Sequence, residues 1–361
     1  MSTASAAQIE WGECWLEPAA LPAPLEAEIK AATGGMLLAW GPRLGRVPWV
    51  VRTFAGSVDG RLAHMPLRLW DLIHFAVSQD NSCRYCYGAT RTVLRVLGYK
   101  DDMIDRIERD AHLADLTAAE VAALRFARKL SNANPRPAAA DMQALLDAGL
   151  TRAAISEIAA CSAFSSYSNR LSTMFALPPE SMEHMLDNPL MRLARPLLAR
   201  KFRLKRHAPF ALPVRNDPPF VRLVRALDGC YAAHLLRSAI DESLASPVLP
   251  RRSKLLMVAV IGRALSCDYV EEEARRELQA EGLGSGEVTQ ILTNLASPRL
   301  DAREALLVPY ARETVRYRPI EIQAQTRKLA ASLPAEEVIE AAGMAATANS
   351  AARLSVLLQM C

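Results

Sequence analysis

The sequence predicts an all-α protein made of two tandem copies of one helical unit, the first carrying an amino-terminal helical extension. Three observations support this. Apolar residues recur three and four apart in Leu124–Leu130, Ala154–Phe175, Leu255–Leu265 and Val338–Leu358, with alanine frequent throughout, which is the spacing of one helix face. Alternating apolar and polar runs, the mark of half-buried strands, are nearly absent. The chain also matches itself at a shift of 184: Ser82-Cys83-x-Tyr85 falls on Ser266-Cys267-x-Tyr269, Phe126-Ala127-Arg128 on Tyr310-Ala311-Arg312, and Pro135 on Pro319. With one residue removed, Arg170-Leu171 falls on Arg353-Leu354. An offset that holds from Ser82 to Leu171 reads as a duplication.

Taken in order, the segment before His64 is the helical extension of the first copy, and its counterpart in the second is Pro219 to Pro250. A helix should begin near Pro66, run through Leu72, Phe75 and Ala76, and stop around Gln79-Asp80-Asn81-Ser82, a cluster of turn and N-cap residues. The next carries Cys83 to Leu97 and ends at Gly98. Pro135 to Pro137, Gly149, Pro178 to Pro179, Gly282 to Gly286 and Pro334 punctuate the remaining helices. The boundary is expected between Leu204 and Asn216, where a basic stretch meets Pro209 and Pro213, giving domains 1–205 and 206–361.

The 361 residues are 51% hydrophobic and 23% charged, a globular composition with material for two cores. Lys and Arg number 43 against 39 Asp and Glu, for a net charge of +4. Seven of those cations (Arg192, Arg195, Arg200, Lys201, Arg203, Lys205 and Arg206) fall in one stretch without an acid. The remainder is slightly acidic, which argues against a nucleic-acid binder with a broad basic face. Leu193, Leu197, Leu198 and Phe202 interleave with these cations. The stretch therefore suits an anionic membrane or a partner, but it reads first as a solvated connecting helix. The best apolar run, Leu255 to Ile261, stops at Gly262 and Arg263, and Met1 to Glu13 lacks a basic segment followed by an apolar one. A cytoplasmic protein without membrane or nucleic-acid partners is expected, with its thiols reduced unless chemistry uses them.

Seven cysteines are scattered except for Cys83-Arg84-Tyr85-Cys86. Three residues are close to one helical turn, so both thiols share a face and can close a disulfide. In the first turn of a helix, unpaired N–H groups and the dipole favour a thiolate. Residue 90 shares the face of Cys86, but it is Thr90, which is not a base. Asp71 sits on the preceding helix, where a hairpin would bring its carboxylate near the thiols. His74, one turn further, offers an imidazole for proton transfer, or packs as a hydrogen-bonded core residue. Half a zinc site needs two more ligands, and no second compact pair exists. A thioredoxin fold would require a strand before the pair. Two core cysteines that happen to lie three apart are the remaining alternative.

Asp71-x11-Cys83-x-Tyr85-Cys86, followed by Phe126-Ala127-Arg128 and Asn169-Arg170-Leu171, resembles the carboxymuconolactone decarboxylase / alkylhydroperoxidase AhpD-like family. The resemblance covers nearly the whole chain as two copies, roughly 20 to 205 and 210 to 361. It implies two tandem AhpD-like helical domains that assemble into homo-oligomers, here a dimer or trimer. It also implies a thiol peroxidase in which Cys86 attacks the peroxide and Cys83 resolves it as a disulfide. In the pattern a Glu and a His form a proton relay; Asp71 stands at the Glu position and Thr90 at the His position. In the second copy Cys267 is kept, while Val270, Leu255 and Ala274 replace the second Cys, the Glu and the His. That copy is expected to be structural.

The function expected is therefore reduction of alkyl hydroperoxides through a Cys83/Cys86 dithiol–disulfide cycle, with Asp71 and His74 as helpers. No metal or cofactor is expected, and the reductant would be a dithiol such as a lipoylated protein. The alternatives are a decarboxylase or lyase on a small carboxylated lactone, and a redox-sensing scaffold without turnover.

Overall fold

A computed structural model of the chain describes residues 11–110, 114–132, 136–212 and 219–360. Pro135, Pro213, Asn216 and Cys361 lie outside the described residues. Among those described, regular structure is helical apart from two isolated bridges, Leu62 with Arg206 and Phe210 with Gly229. None of these helices is long and apolar enough to cross a membrane.

The helices Leu67–Asp80 and Arg251–Ala264 start 184 residues apart, as do Arg84–Leu97 and Asp268–Ala280. Pro66 and Pro250 precede the first helix of each pair, both at φ −55°, where the ring presets the backbone just ahead of the first turn. The connection to the second helix is the same turn twice. Ser82 and Ser266 take left-handed backbone at φ 49° and 48°, and the following N–H groups reach back, Cys83 to the Ser78 carbonyl at 3.0 Å and Cys267 to that of Gly262 at 2.8 Å. Gly98 (φ 103°) and Gly282 (φ 87°) follow the second helices, in a conformation that glycine adopts without a Cβ penalty.

The helices Arg152–Met174 and Ala335–Leu354, 183 residues apart at their starts, pack against each other through the middle of the molecule. Both are buried almost all round, and small residues such as Ala159, Ala163, Ala341 and Ala345 allow the close approach. Ser350 Oγ donates across this contact to the Ala163 carbonyl at 2.9 Å. Each helix also holds a buried glutamate with an equivalent task. Glu157 accepts the N–H groups of Ala63, His64 and Met65 at 2.9, 2.8 and 2.7 Å. Glu340 accepts the N–H of Leu249 at 2.5 Å and Trp49 Nε1–H at 2.8 Å.

Two buried arginines exchange contacts between the halves. Arg170 Nη1 donates to the Thr314 carbonyl at 2.6 Å, and Arg353 Nε donates to the Ser131 carbonyl at 2.8 Å. The extension's helix Pro48–Val58 packs on Tyr231–Ala245 of the second half. Most buried apolar residues from Leu16 to Leu357 accordingly form one continuous core, with Val96 and Ala199 in a small separate cluster.

Candidate functional site

Cys83 is the N-cap of the helix Arg84–Leu97, and its Sγ accepts the Cys86 N–H at 3.4 Å. The left-handed turn at Ser82 aims the cysteine into the protein, where Cys83 is 0% and Cys86 8% exposed. Both are placed as free thiols. Cys86 Sγ donates to Ser172 Oγ at 3.5 Å. Behind Cys83, Thr173 Oγ1 and the Tyr317 hydroxyl lie 2.5 Å apart, and that hydroxyl is 2.8 Å from the Asn169 carbonyl, so its single proton serves either the carbonyl or the sulfur. The guanidinium of Arg170 covers the Tyr317 ring at 4.9 Å. Ser172, Thr173, Asn169 and Arg170 come from the central helix of the first half, and Tyr317 comes from the second half.

These surroundings divide the thiols. Burial pushes the Cys83 thiol up, but hydrogen bonds from Cys86, Thr173 and Tyr317 outweigh it and hold Cys83 below the usual thiol range. Cys86 lies well above that range, through burial and then through its bond to Cys83 and the charge there; Ser172 and Asn169 offset this in part. The first proton to leave the pair therefore leaves Cys83 bearing the charge, at the N-terminus of a helix whose dipole favours it.

The other predicted residues are placed as follows. Thr90 Oγ1 donates to the Cys86 carbonyl at 2.8 Å, one turn back on its own helix. Burial raises the Asp71 carboxyl to about 7, and its electrostatic influence falls on Tyr99 and Cys161. Burial lowers His74 to about 4; its ring lies 4.4 Å from that of Trp70, and its Nε2 has no hydrogen-bond partner. The structure thus brings Cys83 and Cys86 together, while the groups that hydrogen-bond to them are hydroxyls and an amide rather than Asp71 or His74.

A second polar pair lies near the thiols. Tyr85 donates a short hydrogen bond to the Glu180 carboxylate, which also accepts the Ala39 N–H at 2.8 Å. Burial and the Glu180 charge push the Tyr85 phenol well up. Sequence reasoning missed Ser172, Thr173, Glu180 and Tyr317. The shift of 183 that pairs Arg170 with Arg353 also pairs Ser172 with Ser355, and Ser355 Oγ lies 2.7 Å from Cys267 Sγ. That repeat was the available signal for the serine; nothing local marks Tyr317.

In the second half Cys267 is an N-cap and Val270 is buried where a second cysteine would stand. Burial raises the Cys267 thiol. Among the described residues no group of three or more His, Cys, Asp and Glu side chains is placed to hold a metal ion. In comparisons with known proteins the chain matches no family model, no curated protein and no solved structure.

Proposed function

We propose that this protein is a thiol–disulfide oxidoreductase that reduces hydroperoxides with the Cys83/Cys86 pair, as a degenerate tandem member of the AhpD-like group. The observation that carries this reading is Cys83 at a helix N-cap, its sulfur accepting the Cys86 N–H and flanked by the hydroxyls of Thr173 and Tyr317. Such an arrangement stabilises a thiolate, which is the reactive form.

Thr90 supplies no base, and the base within reach of Cys86 is the Cys83 thiolate itself. Cys86, the more exposed sulfur at 8%, passes its proton to Cys83 as it attacks the outer peroxide oxygen. The O–O bond breaks, Cys86 becomes a sulfenic acid, and the departing alkoxide takes a proton from water to leave as alcohol. The Cys83 thiol then attacks the Cys86 sulfur, forming the disulfide and releasing water. An external dithiol, of which a lipoyl group is one form, returns both electrons by thiol–disulfide exchange and is itself oxidised. Cys86, with the higher affinity for its proton, is the better nucleophile once deprotonated.

The test is titration with hydrogen peroxide and an organic hydroperoxide, following free thiols and peptide masses beside Cys83→Ser and Cys86→Ser variants. The expected result is loss of two protons from the Cys83–Cys86 peptide in wild type and, in the Cys83→Ser variant, which lacks the base, a sulfenic acid on Cys86 that forms more slowly and can be trapped because nothing resolves it. A pair that reacts no faster than free cysteine would overturn the peroxidase reading and favour the lyase or the scaffold.

A further inference from the structure

The segment that follows the thiol site presents an outer face with no counterpart in the core. The helices Pro189–Leu193 and Arg195–Phe202 meet at Ala194, where backbone hydrogen bonds run on, from Ala194 N–H to the Leu190 carbonyl at 3.0 Å and from Leu198 N–H to that of Ala194 at 3.1 Å. The inner side is anchored: Ala199 packs with Val96, flanked by Leu198 and Phe202. The outer side carries Leu190, Leu193 and Leu197, spaced three and four apart and 74%, 81% and 73% exposed. The other exposed large apolar side chains among the described residues range from 38% to 58%. Three leucines aligned on one ridge are an interaction surface rather than scattered exposure.

Charge selects what the ridge meets. Arg192, Arg195, Arg200, Lys201, Arg203 and Lys205 are exposed around it. Between the segment and the end of the cysteine helix lies a groove of about 590 Å³ whose lining includes Arg95, Lys100 and Arg195, with the 81%-exposed Leu193 of the ridge also lining it. Its one acid, Asp101, is paired with Arg95 at 3.2 Å. A second copy docked through the same face would set these cations against their own images. A convex apolar ridge flanked by cations suits a plane in which leucines enter the acyl boundary while guanidinium and ammonium groups bind phosphates.

We infer that Pro189–Lys205 docks this protein peripherally on an anionic lipid bilayer. The inference stands apart from the thiol chemistry. Its test is co-sedimentation of the full chain with vesicles of phosphatidylcholine alone and of phosphatidylcholine with phosphatidylserine. Binding is expected only to the anionic vesicles, weakening as salt is raised. Leu193→Glu with Leu197→Glu should reduce it at least about tenfold, and Arg195→Glu with Arg200→Glu comparably, with circular dichroism unchanged because these side chains are exposed. Absence of binding to anionic vesicles would overturn the inference, as would wild-type binding by the leucine variant. Retention on polyglutamate without vesicle binding would overturn it in favour of an acidic protein partner.

Discussion

The Tyr317 hydroxyl lies 2.5 Å from Thr173 Oγ1 although 144 residues separate the two, and this contact ties the second half of the chain to the thiol pair of the first. The half that lacks its own second cysteine still supplies part of the other half's site. The second half thus contributes to the site's chemistry as well as to its packing.

Tyr317→Phe keeps the ring under Arg170 and removes only the hydroxyl. A hydrogen bond to a charged group contributes about 1.5–3 kcal/mol, so the Cys83 thiolate should become scarcer. Alkylation of Cys83 by iodoacetamide in a Cys86→Ser background should slow about tenfold at neutral pH. Its pH midpoint should move up, with the unfolding midpoint nearly unchanged. An unmoved midpoint would show that Tyr317 does not act on the sulfur.

Asp71 and His74 lie one turn apart on one helix and make opposing contributions to stability as pH changes. The Asp71 carboxyl is raised from 3.8 to about 7 in the folded protein. Between those values the folded state holds the proton that the unfolded state has lost, so stability falls as pH rises. His74 is lowered from 6.5 to about 4. Between those values the unfolded state holds the extra proton, so stability rises with pH. Each slope approaches about 1.4 kcal/mol per pH unit, and from about pH 4 to 6.5 the two cancel. Urea unfolding of Asp71→Asn should therefore show stability rising with pH across that window relative to wild type, and His74→Gln should show it falling. Parallel profiles for both variants and wild type would contradict the assignment.

The all-helical fold was legible because its signals are local: apolar spacing, the prolines at 66 and 250, and the glycines at 98 and 282. The turn at Ser82 was legible as a position but not as a conformation, since a left-handed serine carries no residue signature of the kind glycine gives. The thiol pair was legible from its spacing and its place after a turn. What surrounds it was not, because the partners come from more than 80 to about 230 residues further on and reach it only where the helix Arg152–Met174 packs on Arg84–Leu97 and on the start of Pro319–Ala330. Asp71 illustrates the limit. A hairpin puts its helix beside the thiols, yet the charge of its carboxyl acts on Tyr99 and Cys161, which its spacing from Cys83 does not reveal.

Arg170 and Arg353 are expected to hold the halves together as a pair. Each is buried and donates to a carbonyl of the opposite half, so truncation leaves an acceptor unmatched as well as a space. Arg170→Ala and Arg353→Ala should each cost about 2–4 kcal/mol. Arg353→Ala should leave the thiol alkylation midpoint in place, whereas Arg170→Ala, which uncovers the Tyr317 ring, should move it. Equal effects of both on the thiols would show that the arginines act only through global stability.

The two buried glutamates offer a comparison inside one molecule. Glu157 accepts three consecutive N–H groups ahead of the helix Leu67–Asp80, whereas Glu340 accepts one backbone N–H and the Trp49 indole, with Lys254 Nζ 4.0 Å away. Backbone donors left buried without an acceptor cost about 1–3 kcal/mol each, so Glu157→Ala should lower stability more than Glu340→Ala. Glu157→Gln replaces one acceptor oxygen by an NH₂ that faces an N–H, and should recover only part of the loss. In Glu340→Gln the amide nitrogen instead has the choice of the indole or the backbone side, and Lys254, already bonded to the Ser243 and Ser246 carbonyls at 2.5 and 2.7 Å, loses its nearby countercharge. The expected order of unfolding midpoints, lowest first, is Glu157→Ala, Glu340→Ala, Glu157→Gln, wild type. Amide exchange at Ala63, His64 and Met65 should accelerate only in the Glu157 variants. Acceleration there in Glu340→Ala would mean that the two halves unfold as one unit and that the local account of Glu157 is wrong.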